Sequence, residues 1–132
     1  AERGKKAIGT AWIDSDHREM EIKGRDVTEG MSRSLLIGSD EVYDAISDAL
    51  GQIIGVIRET LENTPPELAA DIGERGMVIA GGGALIRDMD RRLMQETGLP
   101  VVIADDPLTC VARGCGRALE DMAVLGDVFT RE

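Results

Sequence analysis

Three consecutive glycines, Gly81 to Gly83, are the strongest chemical signal in the sequence. They follow the apolar run Met77–Ala80 and precede a segment with helical periodicity, so they lie where a buried strand passes into a helix. In open α/β sheets, free amides at such a point can contact a nucleotide. The same glycines can also form a tight turn without a ligand, and the pattern alone leaves both interpretations open.

The glycine triplet lacks the partners of the known phosphate loops. No Lys-Ser or Lys-Thr pair follows it, as a Walker A loop requires, and its spacing to Ile86 is not that of the dinucleotide motif. We therefore do not expect this turn to hold a triphosphate by itself.

Glu2 and Lys5 form a second candidate pair. They lie one turn apart on one face of a predicted helix, Glu2–Ile8, and could reach a ligand together. They could equally form a surface ion pair, which the residues alone favour.

The other reactive side chains do not form a metal-binding pattern. Asp14, Asp16 and His17 are close in sequence, but Arg18 occupies a calcium-loop position that needs an oxygen ligand. Cys110 and Cys115 are about 140° apart around a helix, which suits neither a disulfide nor a zinc site. We expect no metal ligand in this chain.

Catalytic constellations are also missing from the sequence. The single histidine has no triad partners, and no Ser or Cys lies in a nucleophile elbow. Asp88 and Asp90 are two residues apart on a predicted helix and so on different faces. We expect no catalytic residue.

The first part of the chain is predicted to form strands and then a long helix. Met20 and Ile22 alternate with charged residues, as in a half-buried strand. We expect two or three antiparallel strands, at Arg18–Lys23, Asp26–Thr28 and Ser32–Ile37.

Ser39 is predicted to cap a helix that ends near Asn63. Its apolar stripe consists of Val42, Ile46, Leu50, Ile53, Ile57 and Leu61.

The second part is predicted to contain a parallel strand–helix–strand unit. Met77–Ala80 and Val101–Ala104 are continuous apolar runs, typical of strands buried on both faces. Three further helices are predicted: a short one at Glu67–Ile72, one between the strands at Ala84–Thr97, and a last one that Asp106 caps and that ends at Leu119.

The composition excludes several classes of protein. The 132 residues include 25 acidic and 15 basic ones, a net charge of -10, and only 2% are aromatic. An acidic chain with few rings does not suit nucleic acid. No apolar run approaches the ~20 residues of a membrane span, and no secretory segment opens the chain. We expect a soluble, cytoplasmic protein with one aliphatic core.

Five motifs together resemble the bacterial actin-like, rod-shape-determining MreB family. In chain order they are Ala1–Lys5, Pro65–Ala69, Glu74–Leu85, Gly98–Val101 and Asp106–Gly114. The resemblance implies the actin-like (ribonuclease H-like) ATPase fold, of which this chain would be a carboxyl-terminal portion. Residues 1–38 would end subdomain IIB, and residues 39–132 would supply the helices and last two strands of subdomain IIA. Gly4 departs from the family, which usually has a bulky aliphatic residue there.

The resemblance also implies the ligand and the partners. ATP, with Mg in the full-length family, would meet the nucleoside side of its pocket at Glu2, Lys5, Gly81, Gly82, Gly83, Ala84 and Leu85. The chain contains no Asp-Gly phosphate hairpin, so we expect it alone to be inactive and to bind ATP weakly. Implied partners are further subunits of a membrane-associated filament and a cell-elongation membrane protein docking on subdomain IIA; this segment itself would not contact the membrane.

Two other functions stay open at this stage. One is a fragment of a divergent small-molecule kinase with the actin fold, although the sequence offers no acidic base for it. The other is an interaction module that binds a partner helix through the apolar stripe from Val42 to Leu61.

Overall fold

The computed structural model describes residues 1–122. In chain order the elements are α1 (Glu2–Ile8), β1 (Glu19–Arg25), β2 (Ser32–Gly38), α2 (Ser39–Glu62), α3 (Pro66–Arg75), β3 (Met77–Ile79), a 3₁₀ turn (Gly82–Leu85), α4 (Met89–Thr97), β4 (Val101–Ile103) and α5 (Cys110–Glu120).

Strands β1 and β2 form an antiparallel hairpin whose register runs from Glu19 opposite Gly38 to Arg25 opposite Ser32. The prediction of a strand at Asp26–Thr28 was wrong, because this segment is the hairpin turn. The Asp26 carboxylate accepts hydrogen bonds from the amides of Thr28 (2.8 Å) and Glu29 (3.2 Å), which holds the backbone in a turn.

Helix α2 starts one residue earlier than a Ser39 cap would allow. Gly38 is the N-cap, and its amide donates to the Glu41 carboxylate at 3.4 Å. The Ser39 hydroxyl instead accepts from the Arg18 amide at 2.9 Å, so it joins the entry of β1 to the start of α2. The predicted cap was therefore wrong in role, because a distant amide competes for the serine oxygen.

The core lies between α2, α4 and the parallel pair β3–β4. Leu50, Ile54, Leu93 and Val101 are each at most 4% exposed, and Ala11 and Met89 complete this cluster. Ile54 replaces Ile53 in the buried stripe of α2, since Ile53 is 44% exposed. Strands β3 and β4 pair in parallel from Met77 opposite Val101, as predicted.

The continuous helix predicted at Ala84–Thr97 was wrong. The chain forms the 3₁₀ turn, becomes extended at Ile86, and enters α4 only after Asp88, which has a positive φ of 59°. The cause is a long-range contact: Arg87 forms a parallel β-bridge with Thr10, and its carbonyl accepts from the Ala11 amide at 2.9 Å.

The predicted ends of two other helices also change. Asp106 does not cap the last helix: it has a φ of 47° and forms a turn in which its carbonyl accepts from the Thr109 amide at 3.1 Å. Helix α5 begins only at Cys110, and α3 extends to Arg75, beyond the predicted Ile72. Within residues 1–122, none of the helices has both the length and the apolar content to cross a membrane.

Candidate functional site

A cleft of about 430 Å³ lies between α1 and the 3₁₀ turn. Its lining residues are Glu2, Lys5, Lys6, Gly82, Gly83, Leu85, Ile86 and Leu108. Five of the seven residues predicted to contact a nucleotide, all but Gly81 and Ala84, therefore line one cleft, although they come from distant parts of the chain. Small-molecule sites usually enclose roughly 300–1,000 Å³, so the size suits a nucleoside.

Gly81 and Ala84 shape the turn from behind the cleft. Gly81 has a φ of 82°, which favours glycine, and its amide donates to the Pro107 carbonyl at 2.8 Å. Ala84 is 3% exposed, and its amide donates to the Gly81 carbonyl at 3.2 Å. The Gly81 hydrogen bond holds the 3₁₀ turn against the loop that carries Leu108, and the Ala84 hydrogen bond closes the turn itself.

The α1 wall of the cleft is charged. The Glu2 carboxylate lies 3.6 Å from the Lys5 ammonium and 3.7 Å from that of Lys6. The surface ion pair expected from the sequence is thus formed, but such an exposed pair is weak. A ligand can therefore replace either partner of the pair. The carboxylate would accept hydrogen bonds from ligand hydroxyls, and the ammonium groups would donate to ligand oxygen or nitrogen atoms.

The opposite wall combines glycine backbone with apolar side chains. Leu85 and Leu108 are 56% and 65% exposed, and Ile86 is half-buried beside them. A β-carbon on Gly82 would lie 3.5 Å from Leu108 Cδ2, whereas one on Gly83 would meet no atom within 4 Å. An apolar slot with a charged rim suits a ligand that has a flat apolar part and a polar part.

Sequence reasoning did not select Lys6, Ile86, Leu108 or the residue that braces the cleft, Arg87. The Arg87 guanidinium donates to the carbonyls of Asp16 (2.8 Å) and Ile8 (3.3 Å). The available signal was the charged Arg87–Asp88 pair, which ends the short apolar segment Ala84–Ile86 that follows the glycines.

A polar network lies beside Arg87 and connects the segment after α1 to the start of α4. The Thr10 hydroxyl donates to the Ser15 hydroxyl at 2.6 Å, and the Ser15 hydroxyl donates to the Asp88 carboxylate. Thr10 is 3% exposed, whereas Ser15 and Asp88 are half-buried, so this network runs from the interior to the surface. His17 lies apart from it, 3.2 Å from Glu19 and 3.7 Å from Asp40, and residues 1–122 contain no cluster of three metal-ligating side chains.

The fold is that of actin-like proteins. The structure matches crystal structures of MreB5 of Spiroplasma citri bound to ADP and to AMPPNP, with TM-scores of 0.87 and 0.86 and identities of 36% and 37%. These matches cover 98% and 96% of this chain, and 39% and 38% of the solved chains. The predicted actin-like α/β class is confirmed.

Sequence comparisons then define the family. The MreB/Mbl protein family matches residues 1–127. Cell shape-determining protein MreB of Escherichia coli K12 is 51% identical over 133 residues, covering 100% of this chain and 38% of the relative. Cell shape-determining protein Mbl of Bacillus subtilis is 41% identical over 122 residues, covering 92% and 37%. The chain belongs to the MreB/Mbl family and spans less than two fifths of these relatives' length.

The family resemblance read from the five motifs is thus confirmed. The roles of the seven candidate residues and the subdomain boundary after residue 38 stay predictions.

Proposed function

We propose that this chain is part of an ATP-binding, filament-forming, actin-like protein of the bacterial cytoskeleton that determines rod shape by organising cell-wall elongation. The cleft between α1 and the 3₁₀ turn carries this proposal, because one site unites Glu2 and Lys5 with the glycines of a distant segment. The ADP and AMPPNP of the two similar crystal structures support a nucleotide as its ligand.

In this proposal the cleft holds the nucleoside. The apolar side chains of Leu85, Ile86 and Leu108 contact the base, and the glycine backbone lets the ring approach closely. The Glu2 carboxylate accepts from ribose hydroxyls, and Lys5 donates to the base or the ribose. The chain's own residues bind and orient the nucleoside, and none is a catalytic residue.

The phosphates and Mg are held by other parts of the longer protein. Phosphate clamps supply most of the electrostatic stabilisation in phosphoryl transfer, and this sequence has no Asp-Gly hairpin that could form one. The chain alone therefore binds ATP weakly and does not hydrolyse it.

The finer assignments of this proposal are those that the family resemblance implies. Residues 1–38 end subdomain IIB and residues 39–132 form the carboxyl-terminal part of subdomain IIA, with β3 and β4 as its last two strands. The longer protein assembles with copies of itself into cytoplasmic filaments at the membrane and binds a cell-elongation membrane protein through subdomain IIA.

The two alternative functions have less support. The apolar stripe of α2 packs into the core at Leu50, which is 3% exposed, and its residues Ile46 and Ile57 pack against the same core. Much of the stripe therefore already has a partner within the chain. The relatives are cell shape-determining proteins, which does not favour a small-molecule kinase.

A matched pair of glycine variants tests the proposal in the longer protein. Gly83 lines the cleft and Gly24 lies in β1, and a β-carbon meets no atom within 4 Å at either position. We expect Gly83→Val to weaken ATP binding about tenfold, equivalent to roughly 1.4 kcal/mol, because the side chain occupies ligand space. Gly24→Val should leave the affinity unchanged. Calorimetry with ATP and magnesium measures both.

Equal ATP affinity of a folded Gly83→Val variant and the unaltered protein would exclude this cleft as the nucleoside site. The isolated chain, measured alongside, should bind ATP far more weakly than the longer protein.

A further inference from the structure

We propose that Arg87 is a positioning residue that fixes the two walls of the cleft at the separation a nucleoside requires. This inference rests on the proposed function of the cleft. Arg87 does not line the cleft itself and acts through α1 and the 3₁₀ turn.

The side chain of Arg87 holds the end of α1. Its guanidinium donates to the carbonyl of Ile8, the last residue of that helix, at 3.3 Å, and to the Asp16 carbonyl at 2.8 Å. Carbonyls in the last turn of a helix have no partner within the helix. A cation there also interacts favourably with the helix dipole. One side chain thus fixes both the end of α1 and the loop that follows it.

The main chain of Arg87 makes the same connection a second time. Its carbonyl accepts from the Ala11 amide at 2.9 Å, and the hydroxyl oxygen of the buried Thr10, which donates to Ser15, lies 3.4 Å from the same carbonyl. Ile86, the preceding residue, lines the cleft, and its amide donates to the Gly83 carbonyl at 3.2 Å. The glycine wall is therefore connected to the segment after α1 through two adjacent residues, Ile86 and Arg87.

The burial of Arg87 indicates a geometric role. The residue is half-buried, and its Nε is enclosed without a hydrogen-bond partner among the described residues. Desolvating part of a guanidinium is unfavourable, so an apolar side chain of similar length would suit this position better for packing alone. What the guanidinium adds is a fixed angle between two carbonyls.

A fixed angle matters for binding because α1 carries Glu2 and Lys5. If α1 were free to tilt, the ligand would have to order it, and that ordering reduces affinity. Arg87 removes this cost before the nucleotide arrives.

Three arginine variants of the longer protein test the proposal, with ADP as the probe. Arg87→Met keeps the stem and removes the donors, whereas Arg87→Lys keeps the charge but loses the planar fork that directs two N–H groups at the two carbonyls. Arg91→Met is the matched control, since Arg91 lies over the Trp12 ring, 4.6 Å from its centroid. The measurements are ADP affinity, the thermal unfolding midpoint, and hydrogen exchange of the Gly9 and Ala11 amides.

We expect Arg87→Met to weaken ADP binding about tenfold, Arg87→Lys to weaken it less, and Arg91→Met to leave it unchanged. Exchange at Gly9 and Ala11 should accelerate in Arg87→Met, while its unfolding midpoint stays within the shift that Arg91→Met causes. A folded Arg87→Met protein with unaltered ADP affinity, or with unaltered exchange at these amides, would overturn the proposal.

The Gly83→Val result separates this inference from the proposed function. If Gly83→Val loses affinity and a folded Arg87→Met does not, only the positioning role fails; if Gly83→Val binds normally, the cleft itself is excluded. Should Arg87→Met not fold, ADP bound to the unaltered protein must slow exchange at Ala11 as well as at the Ala84 amide. If ADP slowed amide exchange only in the 3₁₀ turn, the proposed connection between the two walls through Arg87 would be overturned.

Discussion

The hairpin β1–β2 and the body formed by α2, α4, β3 and β4 differ in how they are held. The body buries Leu50, Leu93 and Val101 to 4% exposure or less. Within the described strands of the hairpin no residue is buried, and Leu35 and Leu36 are both 63% exposed. The body therefore carries the stability and sets the glycine wall of the cleft, whereas the hairpin depends on its register and on the helix α1 beneath it.

The largest expected effect comes from truncating one leucine in each region. Leu93→Ala should lower the free energy of unfolding of the chain by about 2–5 kcal/mol, because Leu93 is 1% exposed and its loss leaves a cavity. Leu35→Ala should change it by no more than about 0.5 kcal/mol. Urea unfolding followed by circular dichroism measures both values, and similar losses at the two positions would contradict this division.

Sequence patterns predicted the elements of both regions but not their long-range connections. The alternation at Met20 and Ile22 and the apolar runs before Gly81 and after Pro100 are local properties, and they correctly predicted the strands. The helix predicted at Ala84–Thr97 breaks because Arg87 pairs with Thr10, a contact that periodicity within the helix cannot reveal.

The same limit applies to the cleft. Glu2, Lys5 and the glycines stand out by residue type and spacing, but only the family resemblance assigned them to one nucleotide site, and the structure brings most of them together. Leu108 comes from the loop before α5, and the hydrogen bond from the Gly81 amide to the Pro107 carbonyl connects this loop to the 3₁₀ turn. No spacing in the sequence encodes that hydrogen bond.

A glycine at the start of the parallel pair should give the second-largest effect. Gly76 has φ 79° and ψ -163°, a region that is nearly restricted to glycine, and a β-carbon there would overlap the Pro100 carbonyl. Gly76→Ala should therefore lower the free energy of unfolding of the body by about 1–3 kcal/mol from backbone strain alone. Gly73→Ala, in α3 with no atom within 4 Å of an added β-carbon, should be stabilising by up to about 1 kcal/mol.

Thermal unfolding of the two variants in parallel distinguishes strain at Gly76 from a general effect of adding a methyl group. If Gly76→Ala were as stable as Gly73→Ala, the backbone at Gly76 could not lie as close to the Pro100 carbonyl as the structure has it.

The smallest effect is expected at Gly4, where α1 joins the hairpin to the body. Gly4 is buried, and a β-carbon there would lie 3.3 Å from Ile37 Cδ1 in β2. Alanine favours a helix over glycine by up to about 1 kcal/mol, but this close contact should offset most of that gain. We expect Gly4→Ala to change the free energy of unfolding by less than about 0.5 kcal/mol, whereas Gly51→Ala in α2, which meets no atom within 4 Å, should stabilise by about 0.5–1 kcal/mol.

The difference in the free energy of unfolding between these two variants measures how tightly Ile37 of the hairpin packs against α1. Because α1 also carries Glu2 and Lys5, that contact determines whether a change in the hairpin reaches the cleft. Equal stabilisation by Gly4→Ala and Gly51→Ala would mean that Ile37 yields freely and that the two regions are mechanically independent. A smaller gain at Gly4 would mean that the hairpin, although it buries little itself, supports one wall of the candidate nucleotide site.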